Sequence, residues 1–265
     1  MAAERLQKLL ARTGLGSRRQ IEDWIRAGRV KINGVPAELG VQVTGRERIT
    51  VDGRAVRVPT PDKPNRRRVL AYHKPVGEVC TRSDPEGRPT VFASLPRLRS
   101  GRWVAIGRLD VNTAGLLLFT TDGELAHRLM HPSGGVEREY AARVVGEAAA
   151  EQLQALLRGV ELDDGPAHFD RVTDAGGAGT NHWYHVVLSE GRRREVRRLW
   201  DAMGHPVSRL IRVRYGPVQL PRRLRPGRWE ELDAESTNQL LVAAGLPAET
   251  APARQPALGR RRRRR

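Results

Sequence analysis

The sequence predicts an α+β protein in two unequal parts, on three observations. Residues 4–56 carry two amphipathic helical patterns and then two short hairpin patterns. A proline-rich break follows at residues 57–68. Beyond it, strand-like and helix-like segments of mixed length alternate without the steady rhythm of a doubly wound parallel sheet.

The first helix is expected from Arg5-Leu6-Gln7-Lys8-Leu9-Leu10, which sets an apolar stripe, and Gly14 and Gly16 break it. Ser17 with Gln20 forms a capping-box pattern that starts a second helix. Its apolar face is Ile21, Trp24 and Ile25, and Gly28 is the expected stop. Asn33-Gly34 and Asp52-Gly53, each between short β-prone runs, are hairpin turns. Pro59, Pro61 and Pro64 make the break an extended linker.

In the second part, Val69–Tyr72 begins a strand and Leu116–Phe119 is a short buried one. Asp122-Gly123 turns the chain into a helix over Glu124–Met130. Glu137–Val144 alternates as a strand carrying Tyr140. Glu190-Gly191 turns into a helix whose entry holds five arginines between Arg192 and Arg198, most of them expected to face solvent or phosphate. Beyond Ala244 the chain is rich in Ala, Pro and Arg, a composition that buries too little apolar surface to order itself.

Charge narrows the partner. Lys and Arg number 47 against 30 Asp and Glu, a net +17 over 265 residues. Six of those charges are the terminal run Arg260–Arg265, so the body of the chain is itself strongly basic. Such a field attracts polyanions, and nucleic acid is the favoured partner. In the first part, Arg5, Lys8, Arg12, Arg18, Arg19 and Arg29 cluster on the helices and the first hairpin. No apolar run is long enough to span a bilayer, and the first 30 residues hold no signal-peptide core. A lone cysteine, Cys80, excludes an internal disulfide framework. A cytoplasmic monomer is expected.

Several chemistries are absent from the pattern. There is no phosphate-cradling P-loop and no dinucleotide glycine motif between a strand and a helix. His127 and His131 have zinc-ligand spacing, but Arg128 stands where the zinc-protease motif needs a glutamate, and Pro132 ends that helix. Cys80 has no motif partner and reads as a small buried residue. The densest segment is Gly107-Arg108-Leu109-Asp110-Val111-Asn112-Thr113-Ala114-Gly115-Leu116-Leu117. It places Asp110 in a polar loop just before a core strand. An aspartate there either caps the turn or is held out for chemistry, and the residues alone leave both open.

Ordered motifs add a resemblance. Arg5–Ala11, Gly16–Arg19 and Ala27–Gly34 resemble the S4 RNA-binding domain. The Gly107–Leu117 segment, His73-Lys74-Pro75-x-Gly77, Arg138-Glu139-Tyr140 and Glu190-Gly191-Arg192-x-x-Glu195-Val196-Arg197-Arg198 resemble the ribosomal small-subunit-type pseudouridine synthases. The resemblance implies an S4-like unit with its linker over residues 1–62 and a catalytic domain over 63–240. It gives that domain a mixed, mainly antiparallel sheet flanked by helices; the composition beyond leaves residues 241–265 as an expected disordered tail. It implies isomerisation of a uridine to pseudouridine with no cofactor and no metal. Asp110 would be the essential carboxylate, acting as nucleophile or by abstracting a sugar proton, with Arg197 its positive partner and Tyr140 stacked on uracil. Arg108, Arg192 and Arg193 would contact RNA. Residues 77–91 look most like members acting on 23S rRNA, with 16S rRNA as the alternative. Arg194-Glu195 departs from the His-Gln frequent in relatives. Competing readings are a non-catalytic ribosome-assembly protein and a helix-turn-helix DNA binder.

Overall fold

The computed structural model describes residues 3–58 and 67–249. Most of the proline-rich break and the end of the arginine-rich tail lie outside the described residues.

The first part runs β1 (Glu4–Arg5), α1 (Leu6–Arg12), α2 (Arg18–Arg26), β2 (Val30–Ile32), β3 (Val35–Pro36), β4 (Gln42–Val43), β5 (Ile49–Val51) and β6 (Arg54–Ala55). The α2 capping box forms as the sequence predicts: Ser17 Oγ accepts from the Gln20 amide at 3.1 Å, and Gln20 Oε1 accepts from the Ser17 amide at 3.4 Å. Asn33 and Asp52 take positive φ at the β2–β3 and β5–β6 turns, each followed by a glycine that does the same. Leu6, Leu9, Leu10, Ile21, Ile25, Val30 and Ile49 close one small core.

The second part contains β7 (Val69–Lys74), β8 (Val104–Ile106), β9 (Ala114–Thr120), α3 (Gly123–Met130), β10 (Arg138–Val145), α4 (Ala150–Arg158), β11 (Val160–Leu162), β12 (Gly165–Ala167), β13 (Arg171–Ala178), β14 (Asn181–Leu188), α5 (Glu195–Ala202), β15 (Val207–Tyr215), β16 (Val218–Gln219), β17 (Trp229–Glu231) and α6 (Ala234–Ala243). Its main sheet has the order β13-β14-β10-β15-β9-β7-β17, with β16 on β15 and β8 on β9. Only the β15–β9 pair is parallel, so the α+β class and the mainly antiparallel sheet are as expected.

Strand β9 is buried at every residue because the sheet is covered on both faces. Leu116 and Leu118 pack with α3 and α6 on one side, while Leu117 and Phe119 pack with Tyr72, Trp103 and Leu109 on the other. A third cluster joins α4 and α5 to β10, β14 and β15.

One expectation needs correction. The first residues of the stretch expected to be a disordered tail, 241–265, are ordered: Leu241 is fully buried, and Leu246 packs against the α3 and α6 cluster. Leu240 and Leu241 of α6 supply the burial that orders this stretch. In the arginine run before and within α5, Arg192, Arg193, Arg194 and Arg198 are exposed or half-buried, and Arg197 is the buried one at 8 % exposed. It lies on the inner face of α5 with Val196 and Trp200.

The two parts touch. The Gly101 amide donates to the Thr13 carbonyl at 3.2 Å, and Lys8 pairs with Glu124 at 3.8 Å.

Gly115 fixes the one parallel contact. Its φ is +107°, and a Cβ there would lie 2.3 Å from the Arg212 carbonyl oxygen. Gly115→Ala is therefore expected to lower stability by roughly 3 kcal/mol through backbone strain and forced strand separation. Urea denaturation measures it, and a loss below about 0.5 kcal/mol, the range of ordinary surface changes, would contradict the close approach.

Candidate active site

A groove of about 1320 Å³ opens across the middle of the sheet. One wall comes from residues 79–92 and the Gly107–Val111 turn, the other from the β14–α5 connection. Arg108, Asp110, Arg138, Tyr140, Arg193 and Arg212 all line it.

The Asp110 loop is held through its own backbone. Lys74, at the end of β7, is fully buried. Its ammonium donates to the carbonyls of Pro75 and Asp110 at 3.0 Å, Thr113 at 2.9 Å and Val111 at 3.4 Å. Burial pushes this ammonium below the usual lysine range, and Cys80, Glu78 and Asp110 pull it back up. The Gly77 amide adds a bond to the Val111 carbonyl, and the Thr113 amide closes a turn onto Asp110 O. Ahead of the loop, Cys80 Sγ donates to the Leu109 carbonyl at 3.2 Å. Cys80 therefore clamps the chain and is no nucleophile candidate; burial pushes its thiol up.

Arg197 completes the hold. Its Nη2 donates to the Asn112 carbonyl at 2.9 Å and its Nη1 to the Val207 carbonyl at 2.8 Å. All four carbonyls of residues 110–113 thus accept a bond from a buried cation. Arg197 and Asp110 form no direct ion pair among the described residues. The guanidinium is spent on backbone carbonyls, so Asp110 acts on it only through space, opposing the downward push of burial and of Arg194.

The carboxylate itself is left over. Four acids line the groove. Asp84 is bonded to Arg88, Glu190 to Arg192, and Glu195 to the Arg192 amide. The Asp110 carboxylate alone of the four makes no hydrogen bond or ion pair among the described residues, and its turn is closed by its carbonyl rather than by its side chain. That removes the turn-capping reading.

Tyr140 sits on β10, half-buried and facing the groove, with Arg212 beside it on β15. The donor set of the groove is one free carboxylate among guanidiniums, which suits a polyanion near a reacting carbon.

The family model for "RNA pseudouridylate synthase" matches residues 68–202, and that for the S4 domain matches residues 4–49. The chain belongs to the RNA pseudouridylate synthase family. A relative from Escherichia coli (strain K12), named "Ribosomal large subunit pseudouridine synthase B", is 59% identical over 250 residues, 94% of this chain and 86% of the relative. One of the same name from Pseudomonas aeruginosa is 56% identical over 260 residues, 96% of this chain and 67% of the relative. A solved structure described as a pseudouridylate synthase superposes with a TM-score of 0.62 at 28% identity, covering 89% of this chain and 99% of that one.

The structure divides the basic residues that the sequence marks as candidate RNA contacts. Lys8 pairs with Glu124, Arg12 with Glu4, Arg29 with Asp52 and Arg192 with Glu190. Arg5, Arg18, Arg19, Arg108 and Arg193 are exposed and make no ion pair among the described residues. Charge counting had no means to separate the two groups. Sequence reasoning also missed Lys74 and Arg212. Lys74 stood inside the quoted His73-Lys74-Pro75 motif, which was the available signal; Arg212 lies in an alternating strand with Arg209 and Arg214, and nothing marks it out.

Two outcomes follow from this site. Lys74→Met leaves several buried carbonyls without donors, and should cost about 3 kcal/mol or more and abolish turnover. Full stability in a calorimetric scan would show that the ammonium is not the clamp. Glu195, only 4 % exposed, has its pKa raised by burial, so the folded state resists its ionised form. A raised carboxylate pKa makes folding costlier above that pKa and relieves the cost below it. Glu195→Gln keeps an acceptor for the Arg192 amide, so its melting temperature should gain on wild type at pH 8 and lose that gain near pH 4. A gain that grows on acidification would refute the sign.

Proposed function

We propose that this protein converts one uridine of large-subunit (23S) ribosomal RNA to pseudouridine, with Asp110 as the essential group. The observation that carries the reading is the free Asp110 carboxylate, set in a groove of guanidiniums by a loop whose carbonyls are all fixed. The large-subunit target is supported by the relatives' names and by the high identity.

The chemistry asks little of the protein. The C1′–N1 bond breaks, the uracil turns, and C1′ joins C5, with no net gain of atoms or electrons. The nucleotide must leave its stack to expose the glycosidic bond, and the groove offers Tyr140 as a surface for the displaced base. Arg108, exposed on the same turn as Asp110, is positioned to meet phosphate or the gap left behind. Asp110 attacks C1′ or removes a sugar proton; both routes use the ionised form. Arg197 is a positioning residue, since it reaches Asp110 through the Asn112 carbonyl.

Residues 1–62 serve as the RNA anchor and 63–240 as the catalytic unit, with α6 completing the core of the latter. Arg5, Arg18 and Arg19 present free charge to the phosphate backbone, which positions without reading sequence. Cytoplasmic ribosome assembly is the setting this substrate implies.

Asp110→Asn removes the charge and almost no volume. Tritium release from uracil-5-labelled 23S transcript should fall by at least about 10³-fold, with RNA affinity within threefold of wild type. Release within tenfold of wild type would exclude Asp110 from the chemistry. Replacing Arg18 and Arg19 together by alanine should weaken binding and reduce the slope of log K against log salt by about 2, leaving single-turnover rates at saturating RNA unchanged. An unaltered salt slope would place the anchor elsewhere.

A further inference from the structure

Arg212 is a buried cation with no anion. It is 2 % exposed, on β15, and lines the groove. Its Nε donates to the Leu116 carbonyl at 2.7 Å, while Nη2 is enclosed and has no hydrogen-bond partner. No carboxylate pairs with it among the described residues. The ring of Tyr215, 5.1 Å from its Cζ, supplies a π face on one side. A desolvated guanidinium left with an unmet donor is costly unless something else compensates it.

Its register says where that something sits. Arg212 pairs with Tyr140 on one neighbouring strand and with Gly115 on the other, and Gly115 in turn pairs with Lys74. The row Tyr140–Arg212–Gly115–Lys74 crosses four strands, and its far end, Lys74, grips the Asp110 loop. Gly115 contributes no side chain to this row. Arg212 therefore lies between the aromatic ring proposed to carry the base and the loop that presents the carboxylate.

We propose that Arg212 is a further catalytic residue, whose unfilled guanidinium donors bind a carbonyl oxygen of the extruded uracil and stabilise it as a departing anion. This rests on the pseudouridine synthase reading above. When C1′–N1 breaks, the bonding electron pair leaves with the base, and the negative charge spreads to O2 and O4. A preorganised cation at one of those oxygens lowers that barrier whether Asp110 attacks C1′ or takes a sugar proton. When C1′–C5 forms, Asp110 either leaves C1′, taking back the electron pair of its C–O bond, or returns the proton it took to the sugar; the C5 proton goes to solvent, N1 regains a proton, and the charge on the base is discharged. Substrate and product are isomers, and no other reactant is consumed.

The test compares leaving groups. Fluorine at C5 makes uracil more acidic, so a 5-fluorouridine RNA needs less help to release its base. Arg212→Gln should slow single-turnover conversion of uridine RNA by about a hundredfold. It should slow consumption of the fluorouridine in a matched RNA by tenfold or less, with RNA affinity unchanged. Arg212→Lys retains charge but not the forked donors, and should show the same ordering with smaller losses; it carries the comparison if the glutamine variant does not fold. Equal losses on the two substrates, a loss confined to RNA affinity, or no loss would each overturn the assignment. Wild-type enzyme that fails to convert uridine in the same assay would instead overturn the underlying function.

Discussion

The site depends on one buried ammonium. Lys74 places a positive charge where water cannot reach it and satisfies that charge with four backbone carbonyls, three of them from the Asp110 loop. A buried cation held by neutral dipoles fixes those dipoles more firmly than a neutral donor would, because letting go leaves the charge uncompensated. The loop is thereby fixed without using its side chain. Arg197 repeats the device from the α5 side at the Asn112 carbonyl. Two cations hold the backbone, and the acid between them stays free for the substrate.

That division of labour explains the layout of the sheet. β7 delivers Lys74, β9 begins at the loop's end, and β15 lies against β9 only because Gly115 has no Cβ. The close parallel contact brings Arg212 and, one strand further, Tyr140 level with the loop. Packing clusters on both faces of β7 and β9 give the reactive group a close-packed support. The first part touches the catalytic part at Thr13–Gly101 and Lys8–Glu124, and the side chains of Arg5, Arg18 and Arg19 make no ion pair among the described residues.

Local signals in the sequence carried far. The Ser17–Gln20 cap, the two hairpin turns and the Asp122 helix start are governed by neighbours within a few residues, and each forms where expected. The Leu116–Phe119 run read as buried because a strand covered on both faces has no polar positions. What was illegible depends on distant partners. Whether Arg29 or Arg19 is free is decided by Asp52, 23 residues from Arg29. Arg197 was expected beside Asp110 as its positive partner; that its donors go to the Asn112 and Val207 carbonyls depends on the packing of α5 and is not legible from residue type. Lys74 and Arg212 were passed over because a buried cation looks like any other until the fold removes its water.

The account is tested most directly by a structure of the protein bound to a 23S rRNA stem-loop carrying 5-fluorouridine at the modified position. The base should be out of its stack, with C1′ about 3–3.5 Å from an Asp110 carboxylate oxygen and the Lys74 ammonium still on the same carbonyls. A base left stacked in its helix, or an Asp110 side chain turned onto a protein cation away from the sugar, would contradict it.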